Sequence, residues 1–539
     1  MEQRSPSTEA VFAKFEGGVQ PGCTVGVIRG GELVHAAGYG FADIEQGMRI
    51  DADTVFNIAS TSKQFTAFAL LLLARDGELS LDDSVRRYVP ELPGYTDAVS
   101  LRQLVHHTGG LRSYIELLLL SGRAFGERTT REDAFAVIAR QRGFDDVPGH
   151  AFAYSNTGYF LMSLVIERVS GQSLADFSNA NIFSPLGMIS TSIVDRYPAD
   201  IARLARGYSV SQAGASIGES AWEQTGDGQV HTSVRDLALW DANFYAPRVG
   251  DGAIIDEMQR SGVLHDGHAV GYGGGLFLST RSGLTTVSHG GGWAGYRSEL
   301  LRFPERQLSV IVLSNRDDVD ACALAQKVAQ VELELPEAAQ TPPLPHLVTL
   351  GGSAEHRPVQ PGTYRGEFGQ YVRILARGEG HAIAWGGGEH ALTQRADGLL
   401  QFTAGGDAFL AVSHAASDGR LHFSVQLGDE VADYVAVGAW TTDVAHYAGR
   451  YVSDECDGHF DLNAEGDHLA ADLLGKVRPL RAGAEGELVT DEGIVLRVPP
   501  LSEADTFTFT SWGLRGVQYR RASSTPKTNA APDGSTAPR

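Results

Sequence analysis

Between Pro21 and Asn315 the chain begins and ends on strand patterns, and helical patterns fill the space between them. Cys23 to Ile28, the turn Arg29-Gly30-Gly31 and Leu33 to Ala37 read as an opening hairpin. Leu276 to Thr280 and Leu284 to His289, around Arg281-Ser282-Gly283, read as a second hairpin. A third is formed by Tyr296 to Phe303 and Leu308 to Ser314, around Pro304 to Gln307. The intervening runs Gln64 to Ala74, Ser100 to Leu111, Arg131 to Arg140 and Gly158 to Ser170 have the apolar spacing of helices. That order predicts an α+β unit, with one antiparallel sheet assembled from both ends and a helical insertion packed beside it.

The pattern changes at Glu332. Thr341-Pro342-Pro343-Leu344-Pro345 and Gly351-Gly352-Ser353 read as a linker, stiff and then flexible. Beyond it, short alternating strands and Gly/Asp turns predict two small antiparallel β-barrels or sandwiches. Gly362-Thr363-Tyr364 opens the first and Gly449-Arg450-Tyr451 the second. The expected division is 1–335 for the α+β unit, 336–360 for the linker, 361–442 and 443–522 for the barrels, and 523–539 for a disordered tail.

Charge narrows the function classes. A formal net charge of −22 opposes non-specific binding to nucleic acid or an anionic membrane, both of which need a basic footprint. Cys23, Cys322 and Cys456 are too few and too scattered for a disulfide framework or a zinc pattern. Apolar runs such as Phe65 to Leu73 are core-sized rather than bilayer-sized. Met-Glu-Gln-Arg-Ser-Pro-Ser lacks a charged-then-apolar leader, so a cytoplasmic protein is expected. Its expected partner is a small molecule or short peptide; no cofactor or metal is implied, and a homodimer is left open.

Three short elements carry chemistry. In Phe56-Asn57-Ile58-Ala59-Ser60-Thr61-Ser62-Lys63, Ser60 and Lys63 stand one helical turn apart, at the start of an apolar helix. A hydroxyl, an amine and unpaired backbone N–H groups at one helix tip are the parts of an S-x-x-K nucleophile. The same residues also fit a capping Ser followed by a solvated Lys. A second copy, Ser524 to Lys527, lies in the polar tail, where Pro526 opposes a helix. Pro148-Gly149 delivers Tyr154 and Asn156 just ahead of the next helix. That phenol can move a proton if cations depress its pKa, and the amide can bond both Lys63 and a substrate carbonyl. His289-Gly290-Gly291-Gly292 stands at the end of a predicted strand, where glycines permit close approach of a ligand.

In this order the three elements resemble the penicillin-recognising serine hydrolases, which include class C β-lactamases, D,D-carboxypeptidases, related esterases and D-aminopeptidases. Leu104-Val105-His106-His107-Thr108-Gly109-Gly110-Leu111, Tyr154-Ser155-Asn156-Thr157-Gly158-Tyr159 and Ile182-Phe183-Ser184-Pro185-Leu186-Gly187-Met188 carry the likeness further. Two added β-domains make the layout similar to the D-aminopeptidase branch. The resemblance implies Ser60 as nucleophile, with Lys63 and Tyr154 sharing the acid and base work. Asn156, His289, Gly290 and Gly291 would bind or orient substrate. The N–H groups of Ser60 and Gly292 would form the oxyanion hole. The implied activity is hydrolysis of small D-aminoacyl amides or peptides through an acyl-enzyme. An esterase, a D,D-carboxypeptidase or β-lactamase, and a non-catalytic binding protein are the alternatives.

The chain departs from that pattern twice. His289 stands where carboxylate-recognising relatives keep a permanent positive charge, and an imidazole is only partly charged near pH 7. The D-aminopeptidase branch is expected to reach over its site with an acidic residue from the last β-domain. Here Leu474 to Leu480 supplies Lys476 and Arg478 instead, and Phe277 replaces an expected polar contact.

Overall fold

A computed structural model describes residues 7–334 apart from 198–199, 219 and 282. It also describes 356–522 apart from 367–370, 386–387, 396, 405–406, 416–419, 428–429, 439–441, 467, 475, 491–493, 499–505 and 512–513. Most of the expected linker and all of the expected tail fall outside those residues, as does the second S-x-x-K copy.

Six antiparallel strands form the central sheet. They are β1 (Cys23–Arg29), β2 (Glu32–Tyr39), β3 (Phe277–Arg281), β4 (Leu284–Trp293), β5 (Tyr296–Phe303) and β6 (Leu308–Ser314). Their order is β3-β4-β5-β6-β1-β2, so β1 and β6, from opposite ends of the unit, pair at its middle. Both strands are buried almost throughout, as central strands covered on both faces must be. One face packs on the helical insertion through Ile28, Leu300, Ile311 and Leu313. On the other, Val25, Val27, Val310 and Val312 meet the short N-terminal helix at Phe12 and the helix Ala321–Glu332 at Leu324 and Val328.

Three helices of the insertion position the site: α1 (Lys63–Arg75), α2 (Tyr114–Leu120) and α3 (Asn156–Ser170). α1 buries eleven consecutive residues, Lys63 to Leu73, which explains why its sequence is apolar on every side. Four sequence expectations shift here. Ser60 lies on a 3₁₀ turn, Ala59–Ser62, that leads into α1 rather than on its first turn. α3 starts at Asn156 and not at Gly158, with Ser155 as its cap. The run from Ser100 is helical only over Leu101–Val105, because His107 takes a positive φ of 57° that a helix cannot continue through. The Gly-Gly-Gly run does not end its strand: β4 continues through it to Trp293.

The C-terminal region forms two closed eight-stranded antiparallel barrels. One runs from Gly362–Gly366 to Glu430–Ala436 and the other from Gly449–Ser453 to Leu514–Arg521. The first has its own core around Tyr364, Phe402 and Phe423. The second shares a continuous core with the helical insertion, through Phe460, Leu462, Tyr519 and the helix that carries Leu117. Among the described residues, no helix is long and apolar enough to cross a membrane.

Candidate active site

The turn that holds Ser60 is pinned by side chains before any chemistry is considered. Ala59 has a positive φ of 46°, an unfavourable conformation for a residue with a Cβ. It is held there by the Asn57 side chain, which accepts from the Ala59 N–H at 2.8 Å. Ser298 of β5 donates to the Ile58 carbonyl at 2.8 Å, and Thr61 donates to the His289 carbonyl at 3.0 Å. The turn therefore lies directly on β4. That contact explains Gly291, since a Cβ there would stand 2.3 Å from the Ile58 carbonyl oxygen.

Lys63 is fully enclosed. Its Nζ donates to Ser60 Oγ at 3.1 Å, to Asn156 Oδ1 at 2.8 Å and to the Asp227 carbonyl at 2.7 Å. Burial lowers its pKa to about 7, although the Asp227 carboxylate pulls the other way. The two carbonyl-type oxygens accept only, so a neutral amine keeps its two N–H groups on them and turns its lone pair to Ser60. The Tyr154 ring lies 4.9 Å from Nζ. The condition set in the sequence analysis, a phenol pKa depressed by cations, does not hold. Burial pushes it up instead, so Tyr154 stays protonated at neutral pH.

His289 also differs from expectation. Its Nδ1 bonds the Gly290 carbonyl at 2.6 Å and its Nε2 bonds the Tyr272 hydroxyl at 2.9 Å. A carbonyl only accepts, so Nδ1 carries the proton and Nε2 accepts from the phenol. Burial first and the Lys63 charge second lower the pKa to about 3, so the ring is neutral rather than partly charged at pH 7. The Phe277 ring stands 5.1 Å from the His289 ring and 6.4 Å from the Tyr154 ring, which makes this side of the site aromatic.

A cleft of about 140 Å³ opens beside these groups. Ser60, Asn156 and Gly292 line it, together with Tyr114, Ile115, Trp222, Gln224 and Asp227. Lys476 and Arg478 do not line it. Lys476 is exposed, and Arg478 donates to the Leu473 and Lys476 carbonyls of its own hairpin. The second barrel meets the catalytic unit elsewhere. Arg112, 7% exposed, reaches Glu455 at 2.9 Å and the Arg515 carbonyl at 3.0 Å across that junction.

Sequence reasoning missed Asp227 and Tyr114 and gave His107 no role. The Tyr114 hydroxyl donates to Asp227 Oδ2 at 2.8 Å. His107 Nδ1 accepts from the Ser155 N–H at 3.0 Å, and its ring packs 4.3 Å from that of Tyr154. The Leu104 to Leu111 run flagged His107, but nothing local marks Asp227, which sits in a Thr-Gly-Asp-Gly loop. His414, His422 and Asp433 cluster on the first barrel. There Asp433 bonds His422 and accepts from Ser424 at 2.7 Å, while His414 bonds the same Ser424 at 2.9 Å.

Comparison with known proteins follows the same lines. A family model described as Beta-lactamase matches residues 10–333. The chain is 30% identical over 324 residues to a D-aminopeptidase of Cereibacter sphaeroides, covering 59% of this chain and 62% of that protein. It therefore aligns with less than two thirds of that relative. A D-aminopeptidase from another strain of the same organism is 27% identical over 488 residues, covering 89% of this chain and 86% of that one. An octameric penicillin-binding protein homologue from Pyrococcus abyssi superposes with a TM-score of 0.56 at 23% identity, over 77% of this chain and 96% of that one. On the match that spans residues 10–333, the chain belongs to the beta-lactamase family.

Proposed function

We propose that the protein is a serine hydrolase that forms an acyl-enzyme on Ser60 and cleaves the amide bond of small aminoacyl amides or short peptides, D-configured ones included. The observation that carries this reading is the buried Lys63 amine, 3.1 Å from Ser60 Oγ with a pKa lowered to about 7. An amine so tuned is half deprotonated near neutral pH and accepts the hydroxyl proton as Oγ attacks. The N–H groups of Ser60 and Gly292 stabilise the oxyanion that forms. Tyr154, kept protonated by burial, delivers a proton to the leaving nitrogen. Water then attacks the acyl-enzyme along the reverse proton route, with Asn156 holding Lys63 in place.

The D-aminopeptidase names of the relatives support an acyl group that bears a free amine. A neutral His289 withholds the cation that a β-lactam or a peptidyl carboxylate requires, which disfavours those substrates. The aromatic surface of Phe277 beside His289 favours a second reading, an esterase with the same machinery. An idle binding protein has no need of the complete set Ser60, Lys63, Tyr154 and Asn156. Three free cysteines support a reducing, cytoplasmic setting.

D- and L-aminoacyl p-nitroanilides assayed beside p-nitrophenyl esters test the proposal. Hydrolysis of D-anilides supports the amidase. Rapid ester turnover without any anilide hydrolysis decides for the esterase, and silence on the whole set ends the hydrolase reading.

A further inference from the structure

The last three strands of the first barrel, Asp407–Ala415, Leu421–Leu427 and Glu430–Ala436, carry a polar cluster that the hydrolase does not use. Ala411, Phe423, Val425 and Tyr434 project into the barrel core. Side chains alternate along a strand, so His414, His422, Ser424 and Asp433 project from the outer face. The register sets His414 directly opposite His422, and Ser424 opposite Asp433, which gathers the four on one patch of that face. Both imidazoles are only 8% exposed there. The Asp433 side chain is 44% exposed and gives the patch its access to solvent.

The two rings converge on one carboxylate. His414 Nε2 lies 3.7 Å from Asp433 Oδ1, and His422 Nδ1 bonds Asp433 Oδ2. The ligand-type atoms of these three residues all lie within 4.8 Å of one another, the one such group among the described residues. A tetrahedral zinc ion, with bonds of about 2.1 Å, holds its ligand atoms roughly 3.4 Å apart. Side-chain rotation is therefore enough to close the three around an ion while the strands stay in place. A fourth group is at hand. His356 stands directly across from His414 in an isolated bridge, on the same face and half-buried. Opposed residues carry their Cβ atoms about 5 Å apart, so the His356 ring can turn toward the same point.

We propose that His414, His422 and Asp433, with His356 in the fourth position, bind a divalent transition ion of the zinc class and pin the closing strands of the first barrel. Imidazoles with one carboxylate suit zinc, nickel or copper(II), whereas calcium and magnesium take oxygen ligands. Each coordinating nitrogen must present a lone pair. Without the ion, His422 Nδ1 donates to Asp433, and His414 Nε2 donates to Ser424 Oγ at 2.9 Å, whose own proton goes to Asp433 Oδ1 at 2.7 Å. Each ring proton shifts to the ring's other nitrogen as the ion enters, and Ser424 keeps its bond to the carboxylate. None of these residues lines the cleft beside Ser60, so the proposal does not depend on the hydrolase reading.

The test uses the full-length protein, stripped with EDTA, dialysed and titrated with zinc chloride in a calorimeter, with bound metal counted by elemental mass spectrometry. One zinc per chain is expected, with a Kd in the micromolar range or below, and neither calcium nor magnesium displaces it. His414→Gln and His422→Gln should each weaken binding by about 100-fold, and His356→Gln by about tenfold. Ser424→Ala, which removes the hydrogen-bonded bridge but no ligand, should keep the affinity within about threefold. Absence of bound zinc overturns the site. So does equal binding by the His414→Gln/His422→Gln double variant, which would place the ion on other histidines of the chain. Cobalt(II) decides on the unmodified protein if that variant does not fold. Intense visible bands of a four-coordinate site, bleached by zinc, support the proposal, and the pale spectrum of the hydrated ion contradicts it.

Discussion

The wall formed by Lys63, Asn156 and Asp227 and the wall formed by Tyr272, Phe277 and His289 face each other across Tyr154, and they handle charge in opposite ways. On the first, a buried amine and a buried carboxylate lie close enough to shift each other, and both titrate near neutral pH. On the second, an imidazole has both nitrogens committed to neutral partners and a phenylalanine covers its ring. Titratable charge therefore lies on one side of Tyr154, and the other side is aromatic and uncharged. The two walls are also held differently. Arg112 is gripped by the second barrel, and its carbonyl accepts from the Thr157 hydroxyl at 2.6 Å; that same hydroxyl accepts from the Tyr114 N–H at 2.8 Å, beside Asp227. The His289 wall is tied through β4 to the central sheet.

The comparison breaks most easily at Lys63. Lys63→Met is expected to lower kcat/KM by about 10³- to 10⁴-fold on any accepted substrate, since it removes the base and leaves the aromatic wall untouched. A loss below about tenfold in steady-state assays would move the base role to Tyr154. Next in size is Arg112→Ala. It leaves the buried Glu455 without its cation and cuts the brace to the Asp227 wall, so urea unfolding is expected to lose about 3 kcal/mol. In the fraction still folded at low urea, kcat should fall. An unchanged midpoint would mean that the second barrel is an appendage.

A smaller effect is expected from the neutral wall. His289→Lys puts a cation beside Tyr154 and should raise kcat/KM for substrates ending in a carboxylate by about tenfold relative to their amides. A flat ratio would show that the third element does not face the leaving group. The smallest effect is a shift in pH. Activity is expected to rise with pH as Lys63 loses its proton, with a midpoint near about 7. Ser60, Tyr154, Asn156, Tyr159, His107, His289 and Asp227 surround that amine, and Asp227 is the group that raises its proton affinity. Asp227→Asn should therefore move the acid limb of the kcat/KM profile to lower pH by roughly one unit. Movement to higher pH would contradict the assignment.

The strands of the sheet were legible because alternation and turn chemistry agree along them: Tyr296–Phe303 and Leu308–Ser314 match the sequence reading residue for residue. The glycine run misled for a local reason. Glycine is a poor strand former in isolation, and only the close packing of β4 on the Ser60 turn shows why Gly291 stands within a strand. Ser60, Lys63, Tyr154 and Asn156 could be singled out because each sits at a helix start or turn with its own signature. Asp227 could not, since a loop aspartate between glycines is ordinary until the fold places it against a buried lysine. The charge states were the least legible part. Partial charge on His289 and a depressed Tyr154 are sound expectations for groups in water near cations, and burial overrides both.

A covalent label tests the central claim most directly. Incubation with a fluorophosphonate followed by intact-mass measurement is expected to show one stoichiometric adduct on the unmodified protein and none on Ser60→Ala. An unlabelled native protein, or an equal adduct on Ser60→Ala, would contradict the account.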